Sequence, residues 1–262
     1  MYLKLKLRLK LNKTMILTTQ GLVLHTTKYG ETSTIAKMFT RELGLCSYII
    51  KGVRSSNGKT KQNLLQPLSH LEMTVYNNPK RQLQYIKEMR QATHYNNIQN
   101  DGVKMALLFF MDEVLYKSLK EEEENKALFD YVVDELKHID SEEQTSSAPI
   151  NFLINTAHHL GIEPMDNFSQ QEPLFNLMEG RFQAAPSTYT TATNPNAAYF
   201  LDKASSSHIH NCLSYSMNHG PQPQLTALQR STTLNNLLEY YHIHLSDFHN
   251  FTSHEVLHAV LR

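Results

Sequence analysis

The sequence contains one motif typical of a hydrolytic metal site. Residues 254–258 read HEVLH, and H-E-x-x-H on a helix places two imidazoles on one face beside a carboxylate, as in zinc proteases. A catalytic zinc also needs a third protein ligand, which usually lies downstream, and only four residues follow His258. A zinc hydrolase using His254, Glu255 and His258 is therefore kept only as an alternative function.

The same segment fits an ordinary packed helix. Thr252 and Glu255 have the spacing of a capping box, which predicts a helix from Ser253. The apolar residues at helical spacing that this helix would bury are Val256, Leu257 and Val260.

A second group with possible metal spacing comprises His208, His210, Cys212 and His219. Fourteen histidines in the chain make such a cluster expected by chance, so we predict no metal and no cofactor. The sequence has no phosphate-binding G-x-x-x-x-G-K-[ST], no G-x-G-x-x-G after a strand and no G-x-S-x-G nucleophile motif. Nucleotide hydrolysis and common acyl-transfer chemistry are thus not indicated, and the chain is predicted not to be an enzyme.

Basic residues in the first part of the chain suggest a polyanion ligand, because each cation that neutralises a phosphate releases a condensed counterion. The segment 44–63, GLCSYIIKGVRSSNGKTKQN, contains four cations and no acidic residue, although a solvated hairpin loop would look the same. We call residues 51–63 the basic loop. The candidate DNA-binding residues are Lys28, Arg41, Lys51, Arg54, Lys59, Lys61, Lys80, Arg81, Lys87 and Arg90.

Four tyrosines near these cations could stack on unpaired bases. They are Tyr29, Tyr48, Tyr76 and Tyr85. For each of these tyrosines, the alternative interpretation is ordinary packing in the core or on the surface of a strand.

Charge is distributed unevenly although the formal net charge is zero. Residues 15–95 hold eleven Lys/Arg and four Asp/Glu, whereas residues 96–262 hold nine and twenty-one. A polyanion partner is therefore predicted for the first part only. Residues 1–14 add five Lys/Arg and no acid in a strictly alternating run, LKLKLRLKL, which we interpret as a poorly ordered extension upstream of a natural start at Met15.

Hydrophobic periodicity predicts an α+β fold with two domains. Five short strands between residues 15 and 95 indicate an OB-like barrel, since closure removes exposed sheet edges. Leu22 and Leu24 are expected to alternate in the first strand, and Leu83, Tyr85, Lys87 and Met89 along the fifth. The fourth should place Leu71, Met73 and Val75 on one face.

Residues 96–262 have helical periodicity. Helices are predicted from Asn100-Asp101, around residues 128–136, from 152 to a stop at Gly161, near 208–218, over 223–241 and from 253. Residues 165–207 form a loop insertion with a hairpin around Glu179-Gly180. Two distant cysteines, Cys46 and Cys212, encode no disulfide framework, which fits a reducing cytoplasm, and no membrane-spanning run or signal peptide is visible.

Several segments together resemble the bacterial recombination mediator family RecO. They are TTQGLVLHTTKYGETSTIAKMFTRELG (18–44), KGVRSS (51–56), QPLSHLEMTVY (66–76), AHHLGIEP (157–164) and LLEYYHIHLSDFHNFTSHEVL (237–257). The resemblance implies an N-terminal OB fold, a helical C-terminal domain and no catalytic residues. It also implies binding of single- and double-stranded DNA, strand annealing, and cooperation with RecR and single-stranded DNA-binding protein in loading RecA in the RecF pathway. The family's basic positions fall on Lys51, Arg54 and Arg41.

The chain departs from many members of that family in one respect. Where they carry a four-cysteine zinc module, this sequence has FSQQEPLFNLMEGRF at 168–182, without cysteine. A non-enzymatic, DNA-annealing protein associated with the nucleoid is our leading hypothesis. The alternatives are the zinc hydrolase described above and a protein adaptor whose basic front docks on acidic proteins.

Overall fold

The structure is a computed structural model that describes residues 14–55, 58–120, 123–143, 145–185, 195–218 and 220–260. The extension expected to be poorly ordered, residues 1–14, lies outside this description except for Thr14. The described chain divides into two compact units. The barrel unit comprises residues up to 100 together with 119–140, and the helical unit comprises 101–118 and the residues from 141 onward.

Five strands of the barrel unit close into a barrel with the order β1-β2-β3-β5-β4. They are β1 (Met15–Tyr29), β2 (Ser33–Thr40), β3 (Gly44–Ile50), β4 (His70–Asn77) and β5 (Leu83–Gln91), and a short helix α1 (Lys59–Asn63) lies between β3 and β4. Neighbours pair antiparallel except β3 and β5, which are parallel. The predicted five-stranded OB-like barrel is thus confirmed.

In the described residues after the barrel strands there are six further helices, with a small hairpin among them. They are α2 (Gly102–Ser118), α3 (Lys126–Ser141), α4 (Ala148–Leu160), α5 (Lys203–Asn218), α6 (Ala227–His244) and α7 (Ser253–Val260). The hairpin is formed by β6 (Leu174–Asn176) and β7 (Arg181–Gln183), and short 3-10 helices cover Ile98–Asn100 and Pro195–Tyr199. The predicted α+β class, with strands first and helices after them, is confirmed.

The barrel core alternates along the strands as a period of two requires. Leu71, Met73 and Val75 of β4 all point into the core, as predicted. On β1, Leu22 and Leu24 lie in the predicted strand and both are buried, and Val23 between them belongs to the barrel cluster, so this part of the strand is covered on both faces. The cluster is completed by Ala36, Met38, Tyr48, Ile50, Val53 and Leu65.

An irregularity in β5 overturns the expected alternation of that strand. Thr74 pairs with Glu88 but Val75 pairs with Ile86, so Lys87 is an extra residue on the β5 side. Such a bulge shifts the pleat by one position. Ile86 and Met89 both pack against the core as a result, and Lys87 is exposed.

Helix α3 packs on the outside of the barrel. Its fully buried Phe129 meets Phe39 and His70 edge to face, with ring centroids 5.5 and 5.8 Å apart. At its end the Asp140 carboxylate accepts hydrogen bonds from the backbone N–H groups of residues 96, 97 and 98. The domain boundary at residue 95 stays a prediction, and α3 is structurally part of the barrel unit.

Gly44, at the start of β3, lies directly against the backbone of Glu123 and has a φ of +65°. We expect Gly44→Ala to lower the free energy of unfolding by about 2–3 kcal/mol, because left-handed backbone and steric overlap both oppose a β-carbon there. The measurement is urea unfolding followed by circular dichroism. The matched control is Gly30→Ala, which has a φ of +58° but nothing within 4 Å of an added β-carbon, and it should cost only about 1 kcal/mol. Equal losses in the two variants would contradict this account.

Helix ends in the helical unit follow the sequence signals in most places. The Asp101 side chain accepts hydrogen bonds from the N–H groups of Val103 and Lys104 at the start of α2. Gly161 ends α4 with a φ of +73°. The hairpin expected around Glu179-Gly180 is present as β6 and β7, whereas residues 186–194 of the loop insertion lie outside the described residues.

The C-terminal helix α7 differs from its prediction in two ways. Its first N–H groups, from Thr252 and Ser253, donate to the Glu113 carboxylate of α2 rather than into a local capping box. Val256 is 57% exposed while Leu257 is fully buried, because a helix of eight residues contacts its neighbour along a narrow stripe. The Val260 side chain lies outside the described residues. A complete capping box occurs instead on α6, between Thr226 and Gln229.

Candidate nucleic-acid interface

The basic loop is held together by its own hydrogen bonds. The ammonium of Lys61, on α1, donates to the carbonyl oxygen of Lys51 at 3.0 Å, and the Ser55 hydroxyl donates to the carbonyl of Gly52 at 2.8 Å. Gly52 has a φ of +71°, which glycine adopts without steric cost. Residues Lys51, Arg54, Lys59 and Lys61 are all exposed. The described parts of the loop, residues 51–55 and 58–63, thus present four cations from hydrogen-bonded backbone.

Arg54 joins the basic loop to the β1–β2 turn. Its guanidinium donates to the carbonyl oxygen of Gly30, and its backbone N–H donates to the carbonyl of Thr32 at 3.0 Å. Lys28 and Tyr29, at the end of β1, are exposed beside this turn. We therefore assign Arg54 a positioning contact in addition to its charge, because it fixes the turn against the loop.

Lys51 also lies against β5. Its ammonium is 5.8 Å from the centre of the Tyr85 ring, a distance at which a cation is attracted by the aromatic face. Tyr85 lies near this lysine because β3 and β5 pair in parallel, with Ile49 directly opposite Tyr85. The end of β3 and the middle of β5 thus bring a cation and an aromatic ring together.

The β4–β5 turn presents two more of the predicted cations. Lys80 and Arg81 are exposed, and the buried amide of Gln84 donates to the carbonyls of Asn78 and Arg81 at 2.9 and 2.6 Å. The β1–β2 and β4–β5 turns are the loops that OB folds commonly use to bind oligonucleotides and oligosaccharides. Seven of the ten predicted residues therefore lie in or beside three strand connections: Lys28, Lys51, Arg54, Lys59, Lys61, Lys80 and Arg81.

The other three predicted residues have carboxylate partners. Arg41 makes a two-point contact with Asp130 of α3 at 2.7 and 2.8 Å, and this partner raises the pKa of the guanidinium and lowers the pKa of Asp130. Arg90 contacts both oxygens of Glu72, at 2.8 and 2.9 Å. Lys87 lies 3.7 Å from Glu88. Their role in DNA binding stays a prediction, and a phosphate would have to compete with these carboxylates.

The tyrosines separate into one core residue and three at the surface. Tyr48 is fully buried in the barrel, where burial raises the pKa of its hydroxyl, so it cannot stack on a base. Tyr29 is 49% exposed, and Tyr76 and Tyr85 are half-buried on the outside of the sheet. Three of the four candidate stacking residues are therefore accessible.

The two histidine motifs are only partly described. The His254 ring stacks on Phe251, and the side chain of His258 lies outside the described residues. In the other group, His210 contacts the Asp166 carboxylate at 2.6 Å, and burial raises the pKa of the Cys212 thiol to about 12. His219 is not described. Within the described part of the chain we find no cluster of three or more residues arranged to hold a metal ion.

The residue types of this interface were predictable, but its contacts were not. The hydrogen bond of Arg54 to Gly30 and the placement of Lys51 over Tyr85 join residues 24 and 34 positions apart. No local sequence signal encodes such pairs, because they follow from the closure of the barrel. None of the described helices is long and apolar enough to cross a lipid bilayer.

Two family descriptions match the chain. Residues 15–95 match "Recombination protein O N terminal" and residues 99–167 match "Recombination protein O C terminal". The first match coincides with the strands of the barrel, and the second includes α2, α3 and α4.

Similar curated proteins cover nearly the whole chain. A "DNA repair protein RecO" of Phocaeicola vulgatus is 30% identical over 93% of this chain and 98% of its own length. Proteins of the same name from Christiangramia forsetii and Flavobacterium psychrophilum are 28% and 29% identical, each over 94% of this chain and 99% of the relative.

Proposed function

Because this chain belongs to the RecO family of DNA repair proteins, we propose that it binds and anneals DNA without catalysing a covalent step, as a recombination mediator in repair. The observation that supports this most directly is the grouping of exposed cations on the basic loop and the two adjoining turns. Phosphate contacts of this kind position a nucleic acid without reading its sequence. The protein accordingly binds single- and double-stranded DNA with little sequence preference.

The mechanism is electrostatic. Two complementary strands repel each other, and annealing requires that they stay together long enough to find the correct register. Lysines on the basic loop and on the two turns neutralise phosphates and release condensed counterions, which lowers that repulsion and raises the local concentration of both strands. No bond is made or broken in this process, so it needs neither a nucleophile nor a metal.

Protein partners are assigned to the acidic part of the chain. Residues 96–262 carry a net charge of −12 in contrast to +7 for residues 15–95, so DNA is repelled from the former. We propose that RecR and single-stranded DNA-binding protein are the partners, and that with them the protein helps RecA to load on single-stranded DNA in the RecF pathway. The site of action is the cytoplasm, on the nucleoid.

An annealing assay tests this function. We expect the protein to accelerate annealing of complementary oligonucleotides, with the same rate when a zinc chelator is present. Binding to a single strand should weaken about fiftyfold between about 50 and about 200 mM salt if four phosphates are contacted. Loss of annealing on chelation would contradict this metal-free mechanism and leave the zinc hydrolase as the alternative, and failure to shift any oligonucleotide in a gel would favour the adaptor.

A further inference from the structure

A row of apolar and aromatic side chains crosses four strands on the outer face of the barrel. Tyr76 of β4 pairs directly with Tyr85 of β5, and on their two sides lie Ile16 of β1 and Ile49 of β3. Directly opposed residues on neighbouring strands have their β-carbons about 5 Å apart. The two tyrosines are therefore adjacent rings on one surface.

The pleat of the strands places this row outside the barrel. On each strand the residue next to a member of the row packs into the core: Leu17 beside Ile16, Val75 beside Tyr76, Ile86 beside Tyr85 and Ile50 beside Ile49. Successive side chains point to opposite faces, so the row faces away from the core. Ile16 is 58% exposed and both tyrosines are half-buried, so these three side chains remain accessible to a ligand.

Cations flank the tyrosine pair on two sides. The Lys51 ammonium lies 5.8 Å from the centre of the Tyr85 ring, and Lys80 and Arg81 stand in the turn that joins the two strands carrying the tyrosines. A polymer with phosphates at regular spacing and flat apolar groups between them fits this alternation of charge and ring. Single-stranded nucleic acid has that chemistry, since its bases are free to stack.

We propose that the pair Tyr76 and Tyr85 is the subsite at which unpaired DNA bases stack. The proposal deepens the DNA-binding function given above and rests on it. Stacking tolerates any base, because every base has a π-face, so the subsite adds affinity without sequence preference. Bases in a duplex are already stacked and paired. The subsite therefore distinguishes single strands from duplex, which the lysines alone do not.

Tryptophan at this site provides a direct test, because the chain contains no tryptophan. Tyr85→Trp introduces a single tryptophan into the row, and the emission of this tryptophan, excited selectively, should be strongly quenched when oligo(dT) is added. The matched control is Tyr116→Trp, at a residue on α2 that is 37% exposed and belongs to the helical unit. Its emission should change little under the same titration. Quenching that is equal in the two variants, or absent from Tyr85→Trp while the protein binds, would overturn the proposal.

Affinity measurements complete the test. Tyr76→Leu with Tyr85→Leu should weaken binding of oligo(dT) at least tenfold, as expected for loss of one or two stacked bases, and binding of duplex DNA less than threefold. Tyr85→Phe keeps the ring and should bind as the wild type does, so it separates loss of stacking from misfolding. If the double variant keeps its single-strand affinity, the subsite is refuted while the basic interface stands. If the unmodified protein binds neither form of DNA, the proposed function itself is refuted.

Discussion

Replacing Lys51, Lys59 and Lys61 together with alanine should lower the affinity for single-stranded DNA roughly hundredfold at about 50 mM salt. All three side chains are exposed on the basic loop. If each contacts one phosphate, their removal should also reduce the slope of log affinity against log salt by about 2. Titration of labelled oligo(dT) by fluorescence anisotropy at several salt concentrations measures both quantities. Arg54 is left intact, since its guanidinium bond to Gly30 joins the loop to the β1–β2 turn. Lys61→Ala also removes the hydrogen bond from its ammonium to the Lys51 carbonyl, so the circular dichroism of the variant must match that of the wild type before the affinities are compared.

The control for this variant removes the same number of charges elsewhere. Lys126, Lys137 and Lys203 lie on α3 and α5, outside the strands and loops of the barrel. Their combined replacement with alanine changes the net charge equally and should alter the affinity less than about threefold. If the two triple variants lose affinity to the same extent, total charge and not the basic loop determines binding. A loop variant with unchanged affinity would place the DNA on another surface.

The free energy of unfolding should fall as the pH rises through the range in which the buried carboxyl of Asp112 stays protonated in the folded protein. Burial, and secondarily the neighbouring Glu113, raise the pKa of this α2 carboxyl to about 8, and its Oδ1 has no hydrogen-bond donor among the described residues. In the unfolded chain the carboxyl ionises near its usual pKa of about 3.9. Between these two values the folded state binds the additional proton, so the free energy of unfolding decreases by up to about 1.4 kcal/mol for each pH unit.

Asp112→Asn should remove this dependence. We expect the difference in unfolding free energy between wild type and variant to change by roughly 2–4 kcal/mol in favour of the variant from about pH 5 to about pH 8. Urea unfolding at both pH values measures that change, and the comparison cancels the titration of every other group. Asp247→Asn, at an exposed position, is the control and should follow the wild type. A constant difference between wild type and Asp112→Asn would show that Asp112 is already ionised in the folded protein.

Much of the barrel could be predicted because half-buried strands alternate. Leu71, Met73 and Val75 indicate their inward face directly. The bulge at Lys87 could not be predicted, because it depends on how β5 pairs with β4 and leaves no mark in the composition of β5. The start of β1 could not be located from the sequence either: residues 15–20 pair with β4 but include the polar run Thr18, Thr19 and Gln20, which does not have the pattern of a strand.

The candidate interface shows the same division between residue type and arrangement. Charge and tyrosine content predicted a surface for a polyanion near the basic loop. The sequence could not indicate that Tyr48 is buried while Tyr76 and Tyr85 are neighbours outside the barrel, since all three lie in similar strand patterns. Nor could it indicate that Arg41 is occupied by Asp130, a residue 89 positions away. Contacts of that kind appear only once the strands and α3 are assembled.

The position of α3 has a practical consequence for dissecting the protein. The helix is encoded after α2, which belongs to the other compact unit, and yet its Phe129 covers Phe39 and His70 on the barrel. A protein fragment ending at residue 95 would contain all five strands but would lack α3. This fragment would expose to water the apolar surface that Phe129 covers in the whole protein, and it would tend to aggregate. A soluble minimal version would need residues 119–140 restored through an artificial linker in place of α2.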